Sequence, residues 1–414
     1  MKFTYDMCEF NMVLLMCEGG NFMKLGVLKI IEELNDSGCF ISDDMKIKIE
    51  NYLNVDNFEC RVRDELKHLL DEFCKCNDNG ISVISLGIVL PDREIIVSSN
   101  TKSYDLKNGL FDVASITKFF MLKLVYEFEK NGYLCFDDPI NMYTDNYSGI
   151  GDYSISDIIR MYGFLWLDKR LAECRDQDEF YKVLSGVRLE DYRGSASNYT
   201  DIGFIILGQL ILDIYYKKTG IKVTLDVLMK QFVFEPNGLL NTMYSPNKDK
   251  YQLYGNGNSI GVVHDMKTRI VNGVSGAAGV FSNMDDLIHV IRLLQNGKFF
   301  STSFLQDIFN YHFVDMNQRY RSYAGIYLKC PYPSFTSYVP DCYSRYCIAH
   351  QGFTGSAFIC DFKNKIGNVF LIDALEDGAL QKKKMFLRHF HELKEKVAFY
   401  TLLLMIYDKT KESD

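Results

Sequence analysis

The order in which the hydrophobic period changes along this chain limits its fold more than any other feature. Residues 1–79 place apolar side chains at helical spacing, in MKLGVLKIIEEL within Phe22–Leu34 and in VRDELKHLLDEF over Val62–Phe73. At Ile81 the pattern becomes β-rich: ISVISLGIVL and EIIVSS flank Pro91-Asp92-Arg93, a hairpin signal. Helical stretches then fill most of 115–235, in FFMLKLVYEFEK, ISDIIRMYGFLWL, DIGFIILGQLILDIYYKK and LDVLMKQFVF. Strand-like runs return at Tyr323–Lys329, Tyr346–His350, Ser356–Asp361 and Asn368–Ile372, and a closing helix begins at Leu380. The sequence thus predicts an α+β fold: a helical N-terminal extension over 1–79, then a domain over 80–408 whose sheet is interrupted by a helical subdomain at roughly 119–255.

Composition narrows the function classes. The 414 residues exceed the roughly 250–300 at which one core stops growing, and 47% hydrophobic with 24% charged residues is the balance of a folded chain. A net charge of −8 repels phosphate backbones and argues against nucleic acid as the main partner. The apolar run Met12–Cys17 follows Asp6 and Glu9 rather than basic residues, and Val397–Tyr407 is too short to cross a bilayer, so neither an export signal nor membrane insertion is expected. Twelve dispersed cysteines without a C-x-x-C pair suit a reducing, cytoplasmic setting; Cys74 and Cys76 are close enough to oxidise but read as ordinary thiols. His389 and His391 would point to different helix faces, and Gly255-Asn256-Gly257 lacks the third glycine of a dinucleotide cradle, so no metal and no cofactor are expected. The oligomeric state is not legible.

The pattern S-x-x-K occurs at Ser99–Lys102, Ser245–Lys248 and Ser115–Lys118. Only Ser115 precedes a helical run, with Phe119, Leu122 and Tyr126 at helical spacing. There, residues three apart share a face, and Lys118 comes within reach of Ser115 Oγ. A serine hydroxyl becomes a useful nucleophile only when a neighbour takes its proton, and a partly buried lysine at a helix N-terminus is suited to that task. Alternatively, Ser115 is a helix cap and Lys118 a solvated side chain.

Two later segments complete an ordered set: Asn198-Tyr199-Thr200-Asp201 followed by IGFIILGQLI, and His350-Gln351-Gly352 within HQGFTGSAF. Together with FDVASITK they resemble the three motifs of the serine β-lactamase and penicillin-binding-protein family, in particular its branch of class C β-lactamases, D,D-carboxypeptidases, D-aminopeptidases and esterases. FEPNGLLNTMYSP at 234–246, Gly261-Val262-Val263-His264-Asp265 and GVSGAAGVFSNMDDL at 273–287 resemble further family segments, so the likeness runs from about residue 80 to 375. It implies a β-lactamase-like fold, an antiparallel sheet flanked by helices with an inserted helical subdomain. It implies Ser115 as nucleophile, Lys118 and Tyr199 as the groups that move its proton, and the N–H groups of Ser115 and Phe353 as oxyanion donors. His350, Gly352, Phe353 and Asp201 would edge the substrate.

Three departures bear on activity. The H-T-S-G stretch of many members has no match in IIRMYGFLWL at 158–167, Asp201 replaces an asparagine beside Lys118, and His350 replaces a lysine. A neutral imidazole offers no fixed cation for a substrate carboxylate. The resemblance therefore implies a serine hydrolase acting on an ester, an amide or a small peptide, including one with a D-residue, rather than an efficient β-lactamase; transfer of the acyl group to an amine would use the same site. The rival is a catalytically idle relative that binds a peptide or protein partner. His264-Asp265 reads equally as a group that orients the cleft or a water and as a buried histidine satisfied by its neighbour. Residues 1–55 either bind a partner or cover the cleft.

Overall fold

The computed structural model describes residues 25–76, 81, 83–100, 109–190, 197–254, 260–332, 338–373 and 380–411. The Met12–Cys17 run and the Gly255-Asn256-Gly257 segment lie outside these residues. The chain opens with helices Leu25–Asp36 (α1), Asp43–Leu53 (α2) and Phe58–Cys76 (α3). In α3, Phe58, Val62, Leu66, Leu70 and Phe73 are buried at intervals of three and four, one stripe along the helix. Val83–Val89 (β1) and Glu94–Asn100 (β2) pair antiparallel with Val89 opposite Glu94, which puts Pro91-Asp92-Arg93 at the hairpin tip as expected.

Gly109–Asp112 (β3) leads into Ile116–Lys130 (α4), a helix buried on nearly every side through Leu124 and Val125, as its largely apolar sequence requires. The expected helix through IIRMYGFLWL ends at Ile159. Met161 and Gly163 take left-handed φ values of 54° and 75°, which break the helix, and Phe164–Trp166 (β4) pairs instead with Arg188–Glu190 (β5). Ile202–Thr219 (α5) follows the Tyr199 segment, Met266–Ile270 (α6) follows His264-Asp265, and Met284–Gln295 (α7) follows the glycine-rich 273–279 stretch. Between them run Met243–Tyr244 (β6), Gln252–Tyr254 (β7) and Val280–Ser282 (β8), which with β3 form a small sheet ordered β6-β8-β3-β7.

The main sheet adds Phe313–Val314 (β9), Tyr320–Arg321 (β10), Tyr327–Leu328 (β11), Cys347–Gln351 (β12), Ala357–Asp361 (β13) and Ile366–Ile372 (β14), in the order β2-β1-β14-β13-β12-β11-β10-β9. All its pairs are antiparallel. The run expected as one strand over Tyr323–Lys329 begins as a turn and is strand only at Tyr327–Leu328, because Ala324 and Gly325 are left-handed at φ 54° and 75°.

Both faces of the sheet are buried, and alternate residues serve two cores. Phe358, Cys360, Val369 and Leu371 join the core of α4, α5 and α7, whereas Ala357, Ile359, Phe370 and Ile372 join that of α1, α3 and the closing helix Leu380–Lys411 (α8). Phe58 stacks on Tyr407 with centroids 4.0 Å apart. Residues 25–76 therefore form the rear layer of the sheet together with α8, on the face away from α4. The described part of 1–55 does not cover Ser115. Among the described residues, no helix is long and apolar enough to cross a membrane.

Candidate active site

The turn between β3 and α4 presents Ser115. Ala114 is left-handed at φ 50°, a conformation that costs an L-residue roughly 1–2 kcal/mol, and the turn is held by Asp112, whose Oδ1 accepts the Ala114 N–H at 2.8 Å. Ser115 occupies the position before the first helical residue, yet its side chain makes no capping bond. Its Oγ instead accepts a hydrogen bond from Lys118 Nζ at 3.1 Å, one helical turn on. The capping role is thereby excluded, and the pairing expected from the spacing is present.

Lys118 is fully buried, and its three ammonium hydrogens are matched by three acceptors: Ser115 Oγ, the Ala277 carbonyl at 3.0 Å and Asp201 Oδ1 at 2.7 Å. Burial opposes its charge, but Asp201 and then Tyr199 outweigh that and hold the ammonium above its ordinary range. Asp201, at the head of α5, is driven the other way: burial would protonate it, but Lys118 and Lys267 keep its carboxyl well below the usual range. The Ala277 carbonyl reaches Lys118 because Gly276 packs directly on α5; a Cβ there would lie 2.1 Å from the Phe204 carbonyl oxygen.

Tyr199 stands between two cations. Lys118 Nζ lies 5.2 Å from its ring centroid, and the Arg321 guanidinium carbon lies 4.3 Å from it. Arg321 is buried and fixed by Asp315 Oδ2 at 2.7 Å, the Gly325 carbonyl at 2.7 Å and Tyr327 Oη at 2.8 Å. The turn it holds packs on the same ring: a Cβ on Gly325 would fall 2.3 Å from Tyr199 Cε2. His350 sits behind this turn. It is 1% exposed and donates from Nε2 to the Ala324 carbonyl at 3.1 Å, and burial first, then the charges of Lys118 and Arg321, push its pKa down to about 3. His350 is therefore neutral, as expected, but its ring braces the 323–325 turn rather than facing the cleft.

The third segment meets the nucleophile turn through its backbone. Gly352 approaches so closely that a Cβ would lie 2.5 Å from the Val113 carbonyl oxygen, and Thr354 Oγ1 donates to the Asp112 carbonyl at 2.7 Å. Phe353 is 46% exposed and stacks on His264, with centroids 5.5 Å apart and planes within 12°. His264 is held by Asp112 Oδ2, which accepts its backbone N–H at 2.7 Å and its Nδ1–H at 2.8 Å. Its partner is thus Asp112 and not the adjacent Asp265. Asp265 instead accepts from Lys267 Nζ at 2.7 Å and Thr268 Oγ1 at 2.8 Å. Among the described residues, no group of three or more His, Cys, Asp or Glu side chains could hold a metal ion.

Sequence reasoning missed Asp112, Lys267 and Arg321. Asp112 lies inside FDVASITK and Lys267 two residues beyond His264-Asp265, so proximity to motifs was available as a signal. Arg321 carries none; the sheet order alone brings it beside Tyr199.

A serine at a helix head, a buried lysine one turn later and a tyrosine between two cations thus meet beside an antiparallel sheet with a helical half. The model of the family described as Beta-lactamase matches residues 88–389. The D-amino acid amidase of Ochrobactrum anthropi SV3, complexed with L-phenylalanine amide, superposes with a TM-score of 0.61 at 16% identity, covering 85% of this chain and 99% of that structure. A putative D-alanyl-D-alanine carboxypeptidase of Salmonella heidelberg (strain SL476) is 26% identical over 277 residues, 53% of this chain and 62% of the relative. The N-acetylmuramyl-L-alanine amidase of Bacillus subtilis (strain 168) is 29% identical over 144 residues, 30% of this chain and 31% of the relative. The match thus spans less than two thirds of either curated relative. The chain belongs to the Beta-lactamase family and has the β-lactamase/transpeptidase-like fold.

Proposed function

We propose that this protein is a serine hydrolase that opens an amide or ester bond through an acyl-Ser115 intermediate. The observation that carries this reading is the 3.1 Å contact between Lys118 Nζ and a Ser115 Oγ released from any capping role. Ser115 Oγ attacks the substrate carbonyl, and its proton passes to the Lys118–Tyr199 pair and on to the departing amine or alcohol. The N–H groups of Ser115 and Phe353 hold the oxyanion. Water then attacks the ester carbonyl, giving up a proton to the same pair, and Ser115 regains its hydrogen as the acid leaves.

The neutral, buried His350 supports a substrate that does not depend on a cation at the third motif, and the names of the relatives support small amides or peptides with a D-residue. The ten free cysteines among the described residues support a reducing, cytoplasmic setting. One observation favours the idle-binder reading, namely the Asp201 carboxylate that keeps Lys118 charged. A panel of D-phenylalanine amide, D-alanyl-D-alanine and p-nitrophenyl acetate separates the two. Turnover of at least one by wild type and of none by Ser115→Ala is expected; no turnover by wild type or by Asp201→Asn would favour the binder.

A further inference from the structure

Asp201 is shared between two ammonium groups. Its Oδ1 lies 2.7 Å from Lys118 Nζ, and its Oδ2 lies 3.2 Å from Lys267 Nζ. Lys267 reaches in from α6, a different element, with its side chain one-quarter exposed at the edge of the site. Several groups among the described residues face this array. Asp265 and Thr268 flank Lys267 on its own segment, and Asp201 faces it from α5. Tyr199, backed by Arg321, and the neutral His350 face Lys118 from the opposite side. Two lysines and two aspartates thus form one chain, Lys118–Asp201–Lys267–Asp265, whose charges cancel.

That arrangement matters because of the proton count at the nucleophile. With both Lys118 and Tyr199 protonated, neither can take the Ser115 proton, so the pair must first lose one proton, and that loss belongs to the pair rather than to either residue. A carboxylate against Lys118 opposes this loss, and a second cation on the same carboxylate offsets the opposition.

We propose that Lys267 is a positioning residue for catalysis that frees the Lys118–Tyr199 pair to act as a base by sharing the Asp201 carboxylate. The proposal rests on the serine-hydrolase reading above. Lys267 pairs with Asp201 and Asp265, and Asp201 is the group that ties it to Lys118. Its effect must therefore shrink when Asp201 loses its charge and no longer holds the Lys267 ammonium against the site.

The test is the rate at which a fluorophosphonate probe labels Ser115, read by intact mass between pH 6 and 10. In this reaction the Oγ–P bond forms, fluoride leaves and the serine proton passes to the pair. For Lys267→Met the midpoint of the rate profile should rise by about one pH unit, with labelling at pH 7 slowed roughly tenfold. Lys267→Arg, which keeps the cation, should restore most of the rate. In an Asp201→Asn background, adding Lys267→Met should move the midpoint less than it does with Asp201 in place. A Lys267→Met profile that coincides with wild type overturns the proposal, and so does a shift equally large with and without Asp201. Failure of the wild type to label at any pH would overturn the serine-hydrolase reading itself, an outcome distinct from either of these.

Discussion

Lys118 Nζ and Asp201 Oδ1 stand 2.7 Å apart, joining the helix of the first motif to the helix that follows the second. An asparagine would offer the same hydrogen bond without the charge. Asp201→Asn should therefore lower the pH at which Ser115 becomes reactive, because the anion that holds Lys118 protonated is gone. Labelling at pH 7 should be at least as fast as in wild type, with the midpoint moved to lower pH. A midpoint moved upward would contradict this reading of the pair. The stability effect has its own sign. Asp201 titrates below its ordinary value in the folded chain, so its contribution is present above the unfolded carboxyl range near pH 4 and is lost as pH falls through the folded value. Urea unfolding at several pH values between 3 and 7 should show a shallower acid loss in the variant.

Gly325→Ala tests the seating of Tyr199. The new methyl group would lie 2.3 and 2.5 Å from two ring carbons, at a residue whose φ is +75°. Overpacking and left-handed strain together should cost about 1–3 kcal/mol in thermal or urea melts. The displaced ring should slow Ser115 labelling roughly tenfold or more. Full retention of the labelling rate would show that Tyr199 need not be held where it is.

His350 predicts an acid-dependent stability. Its folded pKa of about 3 lies below the ordinary imidazole value near 6.5, so the unfolded chain binds the extra proton between these limits. Its burial as a neutral ring therefore favours the fold fully above about pH 6.5, and that advantage declines as pH falls toward 3. Comparing urea unfolding at pH 7 and pH 4.5, His350→Gln should lose less stability than wild type over the same interval. Equal losses would remove His350 as a source of the slope.

Asp112→Ala removes the acceptor for the Ala114 N–H and both bonds to His264. Left-handed Ala114 would lose a restraint, and buried donors would be left unmatched at roughly 1–3 kcal/mol each. Melting temperature and Ser115 labelling should fall together. Asp112→Asn keeps an oxygen for Ala114 and should recover part of the rate; no difference between the two variants would place the role of Asp112 elsewhere.

The framework of the site was legible because its chemistry lies on local spacing. Ser115 and Lys118 are one helical turn apart, and Tyr199 and Asp201 sit at the entrance of a long apolar helix. The hairpin at Pro91-Asp92-Arg93 was equally local. What could not be read depends on backbone conformation or on long-range pairing. Left-handed Met161 is an ordinary residue in the sequence, and it converts an expected helix into the β4–β5 ribbon. Ala324 and Gly325 likewise replace the start of an expected strand with a turn aimed at Tyr199. Arg321 arrives from the far end of the main sheet, so no window of sequence places it beside the first two motifs, and Lys267, on a short helix, had only its closeness to His264-Asp265 as a signal. Of the residues expected to edge the substrate, His350 is turned inward and Asp201 is held by two lysines, while Phe353 remains exposed against His264.

The central claim is that Ser115 is an activated nucleophile. Intact-protein mass after incubation with a fluorophosphonate and, separately, with a penicillin, for wild type and Ser115→Ala across pH 6–9, tests it most directly. A single fluorophosphonate adduct is expected on wild type and none on Ser115→Ala, with the penicillin adduct weak or absent because the third motif carries the neutral His350 in place of a lysine. Wild type without any adduct over that range, or an equal adduct on Ser115→Ala, would contradict it.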